Sequence, residues 1–100
     1  MPFPDPLDWL NIGNRHFDMA NYEEAIRSFE KIPSIDAIYI TAMFKMGEAY
    51  TELKKYEKAR QCFEIVVDLD PQDAEAADRV EKLKELAKNP KRKKRAIFAK

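Results

Sequence analysis

Apolar residues recur at helical spacing through most of the chain. Trp9, Ile12, Gly13 and His16 form one stripe, Ala25, Phe29 and Ile32 a second, Met43, Met46, Gly47 and Tyr50 a third, and Ala59, Phe63 and Val66 a fourth. The spacing predicts helices. Asp5 can cap the first helix with Pro6 in its opening turn. Ala20-Asn21-Tyr22 breaks it, Pro33 is expected to stop the second helix, and Asp70-Pro71 ends the fourth. A last amphipathic stretch, residues 74 to 88, carries Ala76, Val80, Leu83 and Ala87 on one face, after which Asn89-Pro90 closes the pattern.

The stripes are written twice. NYEEAIRSFE at residues 21 to 30 returns thirty-four residues later as KYEKARQCFE. At that offset Gly13 falls on Gly47, Tyr22 on Tyr56, Glu23 on Glu57, Ala25 on Ala59, Phe29 on Phe63, Glu30 on Glu64 and Asp36 on Asp70. A repeat of this period implies stacked helical pairs, each burying an apolar face against its neighbour. Small residues stand where two helices must approach and large ones fill the space beside them. Residues 74 to 88 begin a third unit, and their single apolar face suits a capping helix.

These residues resemble tetratricopeptide repeats. The family pattern, W-x2-L-G-x2-Y followed by A-x3-F and a late Pro, is met in the first unit by Trp9, Ile12, Gly13, Ala25 and Phe29. The second unit meets it with Met46, Gly47, Tyr50, Ala59, Phe63 and Pro71, while His16, Met43 and Ala37 depart from it. The resemblance implies an all-α fold, an α-α superhelix (solenoid) of two helix pairs plus a C-terminal capping helix. The expected organisation is an N-terminal arm at 1–5, repeats at 6–39 and 40–73, the capping helix at 74–89 and a basic tail at 90–100.

Net charge is zero, but unevenly distributed. Residues 1 to 90 hold twelve Lys and Arg against eighteen Asp and Glu, a net of −6, and residues 91 to 100 hold six bases and no acid. The run KRKKR permits a nucleic-acid role, yet the acidic body does not extend it into a basic surface, so nucleic acid is not the expected partner. MPFPDP lacks the form of a signal peptide and no apolar stretch has transmembrane length; a cytoplasmic, membrane-free protein is expected.

Candidate chemistry is sparse. His16, the one histidine, lies on a core stripe and is expected to be packed and hydrogen-bonded; Cys62, the one cysteine, excludes an internal disulfide and reads as inert packing. Glu48, Glu52, Glu81 and Glu85 lie at helical spacing from Lys or Arg, as on a solvated face. Neither a catalytic constellation nor a metal site is expected, and no cofactor.

Binding has more support. Leu10, Asn14 and Phe17 form a second stripe on the first helix, turned away from the Trp9 stripe. In the family the first helix of each pair lines a concave groove. The resemblance therefore implies that Leu7, Leu10, Asn11, Asn14 and Phe17 face it, continued by Phe44, Lys45, Glu48 and Thr51, with Asp78, Arg79 and Lys82 at its end. The expected function is a non-enzymatic adaptor or scaffold holding an extended or helical peptide, with Leu10, Phe17 and Phe44 as anchors and Asn11 and Asn14 bonding its backbone. Packing of Leu10, Phe17 and Phe44 under the N-terminal arm or against each other is the alternative for those residues. Self-assembly into a homodimer is the alternative for the function. Some members clamp the C-terminal carboxylates of heat-shock chaperones with two Lys, two Asn and an Arg. Asn14 and Arg79 match that clamp, but Leu10, Lys45 and Glu75 replace a Lys, an Asn and a Lys, and an acid in place of a base repels such a ligand. Lys45 and Arg79 retain the capacity to hold an acidic group.

Overall fold

The computed structural model describes residues 4–88, which form five helices: α1 (Pro6–Asp18), α2 (Tyr22–Phe29), α3 (Tyr39–Glu52), α4 (Tyr56–Leu69) and α5 (Ala74–Lys88). α1 starts on a reciprocal capping box. The Asp8 amide donates to Asp5 Oδ1 at 3.0 Å and the Asp5 amide to Asp8 Oδ2 at 3.1 Å, with Pro6 in the first turn where no amide is required.

The two helical hairpins turn in the same way. After α1, Ala20 takes φ 62° and the Asn21 amide reaches back to the His16 carbonyl at 2.8 Å; after α3, Lys54 takes φ 63° and the Lys55 amide reaches Tyr50 at 2.9 Å. Both are Schellman closures, which satisfy carbonyls that the helix end leaves without partners. They place left-handed residues at positions 20 and 54, thirty-four apart, where the sequence holds Ala and Lys rather than glycine.

Each helix packs against the next, and α1 also touches α3, so α1, α3 and α5 form one layer and α2 and α4 the other. Between the layers, Ala25, Phe29, Ala59, Phe63 and Val66 are almost wholly buried, with Ala42, Ala49, Ala76 and Leu83 completing the stack. The glycines explain how the layers come so close. A Cβ on Gly13 would lie 2.4 Å from the Phe29 ring, and one on Gly47 2.6 Å from the Phe63 ring.

Three expectations are corrected. α2 ends at Phe29, before Pro33; Lys31 and Ile32 continue as turns, which still bury Ile32 at 3 % exposure. Trp9, Ile12 and Tyr50 are half-buried rather than core, because α1 lies at the end of the stack and Tyr50 near a helix end. His16 is also half-buried, and its Nδ1 is enclosed without a hydrogen-bond partner among the described residues.

Candidate functional site

The layer of α1, α3 and α5 bounds an open cleft of about 450 Å³, lined by Phe17 from α1, Glu48, Thr51 and Glu52 from α3, and Arg79, Lys82, Leu83 and Leu86 from α5. The lining residues come from the C-terminal turns of α1 and α3 and from the middle and C-terminal part of α5.

A chain of charge runs from the cleft residues Glu48 and Arg79 to Lys45 and Glu75 beside it. Arg79 Nη2 contacts Glu48 at 3.2 Å and Glu75 at 2.9 Å, and Lys45 Nζ stands 3.6 Å from the other Glu48 oxygen. The cations also cover rings: Lys45 lies 4.3 Å from the centre of Phe17, and Arg79 5.3 Å from Phe44 and 5.4 Å from Phe63. Arg79 thus already has two carboxylates and two aromatic faces as partners. Helical spacing brings Glu75 to Arg79; the contact with Glu48, thirty-one residues away in sequence, depends on how α3 and α5 stack.

The second stripe of α1 is packed more firmly than the sequence implies. Leu10, Phe17 and Phe44 are half-buried against the core. Phe44 meets Phe63 edge-to-face at 5.0 Å and Phe17 meets Tyr22 at 5.2 Å. Of the residues expected in a groove, Phe17, Glu48, Thr51, Arg79 and Lys82 come together in the cleft. Leu7 and Asn11 are exposed outside it, as is Asp78, which pairs with Lys82 at 3.2 Å. Asn14 is half-buried and its Oδ1 is enclosed without a partner among the described residues. The Thr51 hydroxyl donates to the Gly47 carbonyl at 2.8 Å, leaving its oxygen to accept. The sequence does not point to Glu52, Leu83 and Leu86 as cleft residues; the spacing of three between Leu83 and Leu86 on the capping helix is the available signal for a wall.

Elsewhere, the Cys62 thiol is pushed up to about 11 by burial, with the charge of Glu30 adding to the effect, so it stays protonated at neutral pH. Burial likewise raises Tyr50, with Glu30 and Cys62 contributing less. Among the described residues no cluster of His, Cys, Asp and Glu has the makings of a metal site, and no helix is long and apolar enough to cross a membrane.

The tetratricopeptide-repeat family model matches residues 16–84. The chain belongs to the tetratricopeptide-repeat family. Among solved structures it is similar to the second tetratricopeptide domain of the human RPAP3 protein, with 30% identity and a TM-score of 0.71 over 81% of this chain and 68% of that one. That domain was solved in complex with an HSP70 peptide, SGPTIEEVD. The family assignment and the stacked hairpins together make the chain an all-α helical-repeat solenoid of the protein-interaction type.

Proposed function

We propose that this chain is a non-enzymatic adaptor that takes an extended peptide into the cleft between α1, α3 and α5. The observation that carries the reading is the make-up of that hollow: Phe17, Leu83 and Leu86 offer apolar contact, while Glu48, Thr51, Glu52 and Lys82 supply polar groups for orientation. Peptide binding by the related RPAP3 domain supports the choice of ligand class. The side chains are this chain's own, however, and they argue for a different sequence preference. An IEEVD terminus would meet Glu48 and Glu52, and Arg79, the base able to hold it, is already engaged by Glu48 and Glu75. The ligand that fits brings apolar side chains to Phe17 and Leu86 and little negative charge between them.

Selection of displayed random peptides on the full chain tests this, with counter-selection on a Phe17→Ser, Leu86→Ser variant. The expected result is a set of peptides poor in Asp and Glu that bind the parent and not the variant. Recovery only of peptides indifferent to both substitutions sinks the cleft as the binding site; enrichment of acidic C-termini overturns the stated preference.

A further inference from the structure

The charges that line the cleft are not equally committed. Glu48 is held by Arg79 at 3.2 Å and by Lys45 at 3.6 Å, Arg79 also by Glu75 at 2.9 Å, and Lys82 by Asp78 at 3.2 Å. Glu52 differs. It lines the same cleft and is exposed, and among the described residues no base pairs with it.

Its place in the helix adds negative charge. Glu52 is the last residue of α3, where the backbone carbonyls form the negative end of the helix dipole. The last turn of α3 contains no base, whereas that of α1 contains Arg15 and His16. Lys54 and Lys55 follow in the turn toward α4 and are not among the residues that line the cleft.

The rest of the lining at this end is largely apolar, with Phe17, Leu83 and Leu86 sharing the cleft with Glu52. A Lys or Arg side chain suits such a place, because its methylene stem covers apolar surface while its charged head stays at the polar rim. The aromatic ring is not the main attraction, since Lys45 already stands 4.3 Å from the centre of Phe17. The free carboxylate decides. An Asp or Glu brought to the same place would meet it with like charge.

We propose that Glu52 selects a basic residue in the peptide, a Lys or Arg next to an apolar residue, with its head on Glu52 and its stem along Leu86 and Phe17. The assignment rests on the cleft being the peptide site and gives that site a specificity-determining residue. Because Glu52 is exposed, the ion pair is worth about two- to fivefold in affinity. It therefore sets preference among peptides more than the strength of binding as a whole.

Displayed peptides that bind the parent chain and not its Phe17→Ser, Leu86→Ser variant supply the test. They should share a Lys or Arg at one position beside an apolar residue. For a synthetic peptide of that set, Glu52→Gln should weaken binding about two- to fivefold and leave unchanged the binding of an analogue with Ala in place of the base. Glu52→Lys should turn the preference toward an analogue with Glu there. Melts of both Glu52 variants should match the parent, since the side chain is exposed and holds no ion pair among the described residues. Cleft-dependent peptides with no recurrent base, or a base whose replacement costs the same on the parent and on Glu52→Gln, overturn the role of Glu52 and leave the cleft as the peptide site. Peptides indifferent to Phe17→Ser, Leu86→Ser overturn both. Should that double variant lose its fold, the comparison of Glu52→Gln with the Ala analogue still decides.

Discussion

The ring of Phe63 rests on the backbone of Gly47 so closely that a Cβ there would stand 2.6 Å from it. Phe63 is 0 % exposed, so the ring has nowhere to go. Gly to Ala inside a helix ordinarily stabilises by about 0.5–1 kcal/mol; here overpacking costs about 1–3 kcal/mol and reverses the sign. Gly47→Ala is expected to lower the melting temperature. Gly13→Ala should do so less, although its added Cβ would meet the Phe29 ring as closely, because α1 is an end helix and can shift outward. Thermal melts of both variants check the order, and a Gly47→Ala protein that melts above the parent would contradict the packing described.

Lys54 holds a left-handed backbone at φ 63° in the turn between α3 and α4. A non-glycine residue there costs about 1–2 kcal/mol, part of which a glycine loses again through the freer unfolded chain. Lys54→Gly is therefore expected to stabilise by about 0.5–1 kcal/mol, a rise of a few degrees in Tm. Urea unfolding measures it.

Cys62 gives the fold an alkaline limit. Its folded value of about 11 lies above the ordinary 9.0, so the folded state holds the proton more tightly than the unfolded chain. Stability from this thiol is complete below pH 9 and falls as pH rises from about 9 to about 11, by about 2–3 kcal/mol in all. Chemical denaturation across that window should show the decline, and Cys62→Ala should flatten the part due to the thiol, leaving that of Tyr50. At neutral pH the folded protein should resist thiol alkylation and lose that resistance in denaturant.

Phe44 and Phe17 are not equivalent within the layer of α1, α3 and α5. Phe44 packs on Phe63 and under Arg79, whereas Phe17 meets Tyr22 and lines the open cleft. Phe44→Ala is expected to cost about 2–3 kcal/mol and Phe17→Ala about 1–2 kcal/mol, both below the 3–5 kcal/mol of a fully buried ring. If the two rings were peptide anchors lying outside the core, both variants would melt with the parent.

Helix-period stripes, the thirty-four-residue echo and the repeated glycines and phenylalanines were all legible in the chain, because local spacing determines which residues share a helix face and identical units bury identical faces. Ala25, Phe29, Ala59, Phe63 and Val66 are core for that reason. The sequence by itself also separated an acidic body from the basic stretch at 91–100 and named Arg79 and Glu48 as neighbours of the groove. It did not join them. Their 3.2 Å contact spans thirty-one residues and exists only because α5 stacks beside α3. Stacking likewise decided that Leu10, Phe17 and Phe44 are half-buried and that Leu83 and Leu86 help form a cleft wall. Periodicity assigns a residue to a face of its own helix; what covers that face, and how much of it stays open, depends on the angle and offset at which the next helix is laid down.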